Sequence, residues 1–282
     1  MLALRCHFLT FYGYTPGAPF RETPSLRQAL KGLMPPSTNN LTEMRRNQIL
    51  ASLPDAELKT IWPHLHEVDL TFGEVILDAE QELTSAFFVL SGVASLIVNM
   101  TDGSSVEVAS VGNESLIGAG GLLRIPRELH TTLIQAQGTA YKISIIRLQK
   151  LFQDCRGLRE AILRNLYVQA SQMAQTAACN RVHEVENRLA RWLLTLQDLI
   201  GGDKLVMTHE FLAIMLGTRR TTVTIAAGLL QDEGVIEYKR GKVHILDRKG
   251  LEHASCECYA SLRKFVRTIP FALPNNNGNS KN

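Results

Sequence analysis

From Leu158 to Leu199 the chain reads LREAILRNLYVQASQMAQTAACNRVHEVENRLARWLLTLQDL, without one glycine or proline. Those two residues most disfavour a helix interior, so their absence over such a length predicts a long helix. Leu163, Leu166, Ala170, Met173, Ala177 and Asn180 recur at alternating three- and four-residue steps. That spacing is a coiled-coil seam, with small residues that let two helices approach closely. Packing of the same stripe on the chain's own β-rich part is the competing arrangement; the length and narrowness of the stripe favour a seam between two copies. The helix also divides the chain, because the segments before and after it differ in texture.

Residues 66–148 read as short β-rich runs: EVDL, EVIL, AFFVLSG, VASLIVN, VEVASV, TTLIQA and AYKISI, punctuated by Gly73, Gly92, Gly103, Gly112 and Gly118. TDGSS between two alternating runs is a hairpin signal. Many short strands with close turns predict a small antiparallel barrel or roll able to enclose one small ligand. A short helical segment, RRNQILASLPDAEL, leads into it. Residues 1–40, rich in Pro, Thr and Asn, predict a poorly ordered arm, and PNNNGNSKN a disordered tail over 272–282. Met34 and Met44 are further candidate starts.

After the long helix, GGDK breaks the pattern, and THEFLAIMLG, TRRTTVTIAAGLLQDEG and VIEYKRGKVHIL follow. They predict helix, tight turn, helix and β-hairpin, the arrangement of a winged helix-turn-helix. Thr208 suits an N-cap, with Glu210 in the first turn, and Gly217 supplies the turn. The second helix is expected to begin near Thr218, with Arg219, Arg220, Thr221, Thr222 and Thr224 in its first two turns. Two cations at a helix N-terminus oppose its dipole, so an anion outside is expected. Lys239, Arg240 and Lys242 at the hairpin tip add to the same charge. Residues 204–282 carry 12 Lys+Arg against 7 Asp+Glu, whereas residues 1–203 carry 18 against 20. A basic domain on a nearly neutral chain points to double-stranded DNA, with arginines on guanine or phosphate and threonines on phosphate or thymine methyls. The domains expected are 1–40, 45–155, 156–200, 203–265 and 272–282, in an α+β fold.

At 282 residues, 45% hydrophobic and 20% charged, the composition is that of an ordinary globular chain, without an apolar run of membrane-spanning length. Arg5 and His7 spoil the first residues as a signal peptide, and five scattered cysteines give no disulfide framework. A cytoplasmic protein is expected. Neither H-E-x-x-H, G-x-S-x-G nor G-x-x-x-x-G-K-[ST] occurs, so a metal-dependent hydrolase using the histidines has little support.

The run LAIMLGTRRTTVTIAAGLLQDEGVIEYKRGKVHILDRKGLE resembles the DNA-binding domain of the Crp/Fnr bacterial transcription regulators. The preceding roll and long helix are similar to that family's sensor domain and dimerisation helix. The resemblance covers about residues 50–250 and implies a cyclic-nucleotide-binding-like roll. It further implies a homodimer on an inverted-repeat operator, with RNA polymerase as a further partner and no membrane. Arg220 matches the first family recognition arginine. Thr221 stands in the Glu position and Ile225 in that of the second Arg, so the operator should differ from that of the cyclic-AMP receptor protein.

The stretch matching the family's cyclic-nucleotide turn is LIGAGGLLRIPRELHTTLIQA. Ala119 occupies the Glu position and His130 the Arg position, with Arg127 three residues early. Met173 and Ala174 stand for the Thr-Ser pair that touches adenine. Losing the bidentate phosphate donor removes the strongest contact, so cyclic AMP is not expected. Gly118, Gly120 and Gly121 can still form a backbone cradle for another anion, although a plain turn is their commoner use. With Ala119, Arg127, His130, Thr131, Thr132 and Met173 they make the candidate pocket for an unidentified small effector. A roll serving only as a dimerisation scaffold is the alternative. Cys6 alone near the N-terminus excludes the four-cysteine iron–sulfur cluster of oxygen-sensing relatives. Among His64, His66, His130 and His183 no haem or metal set is evident. Cys256 and Cys258 with His253 lack C-x-x-C spacing and a second pair, so packing of the last helix is their expected role. No cofactor is expected.

Overall fold

The computed structural model describes residues 38–269. The expected tail, and the expected arm up to residue 37, lie outside them; residues 38–40 open helix α1 (Thr38–Met44). The helical segment that follows is two helices, α2 (Gln48–Ala51) and α3 (Asp55–Ile61), separated because Pro54 can begin a helix but not continue one. Asn47 fastens this cluster to the roll. Its oxygen caps α2 at Ile49 and Leu50, and its amide donates to the carbonyls of Val89 (2.9 Å) and Ser115 (3.0 Å).

The roll is built from β1 (His66–Leu70), β2 (Val75–Leu77), β3 (Ser85–Asn99), β4 (Ser105–Val111), β5 (Leu116–Ile117) and β6 (Thr131–Ser144). All pairings are antiparallel, in the order β1-β6-β3-β4, with β2 on β6 and β5 on β3. Runs that the glycines divide in the sequence are continuous here. Gly92 (φ +85°) and Gly138 let β3 and β6 bend together where their register shifts; a Cβ on Gly138 would stand 2.1 Å from the Ser91 carbonyl oxygen. Both faces of β3 are covered, which explains its unbroken apolar run. Phe87 and Val89 face the roll interior, whereas Phe88 and Leu90 face α1–α3, the helix α4 (Ile145–Asp154) and the start of α5 (Arg156–Val182).

The long helical stretch breaks in two. α5 ends at Val182, His183 and Glu184 are extended, and α6 spans Val185–Ile200. Each part is claimed by a different core. α5 lays Leu158, Ala161 and Ile162 on the α1–α4 side of the roll, and buried Asn165 donates to the Glu114 carbonyl. α6 buries Leu189, Ala190, Leu193 and Leu194 in the C-terminal domain. That domain comprises β7 (Lys204–Val206), α7 (His209–Met215), α8 (Arg220–Asp232), β8 (Ile236–Lys239), β9 (Lys242–Ile245), α9 (Arg248–Ala254) and α10 (Cys258–Thr268), with strand order β7-β9-β8. Val93, Ile97 and Leu133 of the roll join its core.

Two glycine substitutions test this packing. Gly138→Ala should lower stability by about 1–3 kcal/mol, since backbone must move aside. Gly228→Ala, in the interior of α8 with nothing within 4 Å of its Cβ, should raise it by up to about 1 kcal/mol. Urea denaturation distinguishes them; equal midpoints would contradict the strand crossing.

Candidate functional site

The reading head is set by local chemistry. The Thr208 hydroxyl caps α7 by accepting from the Phe211 amide at 3.1 Å. Gly217 (φ +57°) makes the turn. The carbonyl of Leu216, at the C-terminal end of α7, accepts from the buried Arg188 guanidinium, a cation where the helix dipole favours one. α8 then turns Val223, Ala226, Ala227 and Leu230 inward. Arg219, Arg220, Thr221, Thr224 and Ile225 are exposed on the other side, with Thr218 and Thr222 half-buried. The helix proper begins at Arg220, and Arg219 is its extended N-cap residue.

The charge placed against the helix dipole has a partner within the chain. Arg220 Nη1 lies 2.6 Å from Glu210 Oε1, whose carboxylate stands in the first turn of α7. Behind Arg220, the Thr224 hydroxyl donates to its carbonyl and pairs with His209 Nδ1, both at 3.0 Å. Burial, then the Arg220 charge, lowers the His209 pKa and so favours the neutral ring, which stacks on Tyr238 with centroids 4.2 Å apart. Tyr238 locks the wing through its hydroxyl to the Met207 carbonyl and its amide to Gln231. Arg240 (φ +50°) and Gly241 (φ +73°) form the two-residue wing turn. Lys239, Arg240 and Lys242 are exposed there. The turn sits beside the start of α7, as the Met207 amide donates to the Gly241 carbonyl at 2.8 Å. The structure therefore brings the recognition-helix arginines, Thr208 and the basic wing into one region.

The roll's glycine turn is already occupied. Gly118 (φ +83°) opens a 3-10 turn over Ala119–Leu123, with Ala119 buried and Gly121 against Ile145. The Gly120 amide donates to Glu128 Oε1 at 3.2 Å, so a carboxylate of the chain itself fills the cradle. Arg127 is exposed, and burial lowers the pKa of His130. Thr131 accepts from Asn99, Thr132 is buried, and Met173 packs on the roll interior.

The seam residues divide similarly. Leu166 and Met173 turn toward the chain's own cores. Leu163 (51% exposed), Ala170 and Ala177 face outward, joined by Tyr167 and Ala174; Asn180 is half-buried.

Two constellations were not anticipated from the sequence. The first joins roll to reading head. Glu107 of β4, fully buried, accepts from Trp192 Nε1 of α6 (2.8 Å) and from the Ser110 hydroxyl (2.7 Å). Beside it the Gly217 turn packs on Val106. Burial pushes the Glu107 carboxyl pKa up. The second lies at the α5–α6 break, where Cys179 and His183 meet Cys256 and Cys258, whereas His253 is exposed and outside the group.

Residues 187–254 match the family of Crp-like helix-turn-helix domains. A transcriptional regulator of the Crp/Fnr family from Eubacterium rectale superposes with a TM-score of 0.61 at 21% identity, over 73% of this chain and 96% of its own. The c-di-GMP-responsive global regulator CLP of Xanthomonas campestris gives 0.58 at 20% identity, over 69% of this chain and 100% of its own. FixK2 of Bradyrhizobium japonicum gives 0.59 at 14% identity, over 68% and 98%. No curated protein matches the chain by sequence. At such identities the solved structures show a shared fold.

The raised Glu107 pKa has a definite pH signature. Its contribution to stability is fully present below the unfolded-state pKa and is lost as pH rises through the higher folded value. Glu107→Gln keeps a neutral acceptor for Trp192 and Ser110. The variant should therefore be the more stable protein at alkaline pH, with a flatter stability-against-pH curve. Parallel curves from urea titrations would sink this assignment.

Proposed function

We infer that this chain, with a Crp-like helix-turn-helix domain over residues 187–254 and the fold of Crp/Fnr regulators, is a DNA-binding transcription regulator rather than an enzyme. The carrying observation is that the matched domain exposes Arg219, Arg220, Thr221 and Thr224 beside a basic wing. On DNA, α8 enters the major groove N-terminus first, and the wing lies on the phosphates. Arg220, paired with Glu210 yet exposed, is placed to reach a base edge or phosphate. Arg219, Lys239, Arg240 and Lys242 supply sequence-independent attraction. The apolar face of Leu163, Tyr167, Ala170, Ala174 and Ala177 joins two copies, so that two recognition helices meet an inverted repeat. The protein acts in the cytoplasm; no described helix is long and apolar enough to cross a membrane. Contact with RNA polymerase and simple occlusion of a promoter both suit this architecture.

Control by a small effector in the roll is one mode. A ligand-independent roll is favoured by Glu128, which holds the glycine cradle and repels a second anion there. Cyclic AMP does not suit this turn. Retrieval of fragmented genomic DNA by the purified protein tests the function directly: a shared inverted repeat supports it, and sequence-indifferent recovery with and without cell extract contradicts it.

On the recovered operator, Arg220→Ala should weaken specific binding by about 1–3 kcal/mol. Lys242→Ala should weaken binding on every sequence and reduce the salt slope; wild-type behaviour of both would remove these residues from the interface. Leu163→Asp should shift sedimentation from dimer toward monomer, and an unchanged dimer would move the seam elsewhere.

A further inference from the structure

At the junction of α5, α6 and α10, four side chains converge that lie far apart in sequence. Cys179 and His183, one helical turn apart, come from the end of α5; Cys256 precedes α10 and Cys258 opens it. Cys179 Sγ lies 3.5 Å from Cys256 Sγ, and Cys258 Sγ lies 3.6 Å from His183 Nδ1. All four candidate ligand atoms fall within 4.8 Å of one another. A tetrahedral zinc ion, with bonds of about 2.3 Å to sulfur and 2.0–2.1 Å to nitrogen, requires S···S edges near 3.8 Å and S···N edges near 3.6 Å. The cluster thus has the dimensions of one ion. It is too tight to enclose an iron–sulfur core.

The surroundings fit a ligand set. His183 Nε2 lies 3.1–3.2 Å from the two Glu257 carboxylate oxygens. A proton held there leaves the Nδ1 lone pair facing the sulfurs, the carboxylate–histidine arrangement that orients metal-bound imidazoles. Gln175 Nε2 donates to Cys258 Sγ at 3.0 Å, a bond that a thiolate strengthens. Three thiolates and a divalent ion leave one net negative charge. Arg188 and Arg191, both buried with an unpartnered Nε, add positive charge on α6, the helix that follows His183. All three cysteines are buried, and His183 is half-buried.

We propose that Cys179, His183, Cys256 and Cys258 form a closed mononuclear site for Zn2+, which staples the end of the dimerisation helix to the last two helices of the DNA-binding domain. Four protein ligands leave no open coordination position, so the site is structural. It fixes the extended His183–Glu184 link, and with it the angle between the roll and α8. The site stands independently of the DNA-binding reading; only its bearing on operator presentation rests on that reading.

The test uses the full chain, reduced and freed of metal, with Co2+ as the probe. One Co2+ per chain should bind, giving a sulfur-to-cobalt charge-transfer band and the intense visible bands of a tetrahedral site. One equivalent of Zn2+ should bleach both. Cys258→Ser should lose the bound ion, whereas Cys155→Ser should keep it. Glu257→Gln, which touches no metal, should weaken Zn2+ affinity by about 10–100-fold. A wild-type spectrum without the sulfur band, or an unchanged spectrum in Cys258→Ser, would overturn the site. This readout needs no DNA, so it cannot fail because the operator reading fails.

Discussion

The hydrogen bond from the Trp192 indole to Glu107 joins the roll to the winged domain. It places a polar pair in the middle of an apolar contact, where Val93, Ile97 and Leu133 of the roll meet the core of the winged domain. An ionised carboxylate there would be costly to bury. Burial therefore pushes the Glu107 carboxyl pKa up, toward its neutral form; a neutral hydrogen bond of this kind contributes about 1 kcal/mol net. Its value lies in direction. An apolar contact tolerates sliding, but the indole N–H must point at one oxygen, which sets how α6, and so the reading head, sits on the roll.

The reading head answers a second constraint, the pair of arginines at the start of α8. Each opposes the helix dipole by about 0.3–1 kcal/mol. Glu210 offsets this only in part, because an exposed ion pair contributes about 0–1 kcal/mol. Nothing in the folding of the domain requires two cations at that end. A phosphate outside the helix would supply the missing negative charge, which is why the proposed function places this end of α8 on DNA. Residues that serve the fold are treated differently: Arg188 lies at the C-terminal end of α7, where the dipole favours a cation, and is buried there.

Much of this architecture is legible in the sequence because local rules and tertiary contacts agree. Thr208 caps, Gly217 turns, TDGSS closes a hairpin, and Arg240–Gly241 forms the wing turn, each from the residues themselves. Where the sequence misleads, tertiary contacts decide. Gly92 reads as a strand boundary, yet with Gly138 it allows two long strands to bend in contact. No glycine or proline marks the His183–Glu184 break, since it arises from two cores competing for one helical run. Leu166 and Met173 fit the seam spacing, but the helical repeat turns them toward the roll. Glu210 was recognisable as a first-turn carboxylate, not as the partner of Arg220. The thiol cluster was hidden by distance, with Cys179 and Cys256 separated by 77 positions. His253, the nearer histidine in sequence, faces solvent.

These features bear on how far the roll can control the reading head. Driving a two-state equilibrium from 1:99 to 99:1 takes about 5.5 kcal/mol of differential binding. Opposing such a change are the Trp192–Glu107 hydrogen bond, the contact of the Gly217 turn with Val106, and the buried Val93, Ile97 and Leu133 of the roll, each buried side chain worth about 1.5–3 kcal/mol. The sum is of the same order as the binding differential required. A metal staple at His183 changes where such motion can occur. With the end of α5 and the start of α10 held at one point, displacement of the roll would be converted into rotation about that point instead of independent drift of the two domains. The break in the helix then acts as a pivot, and its position beside the cysteines, away from any glycine, is what gives the pivot a fixed centre.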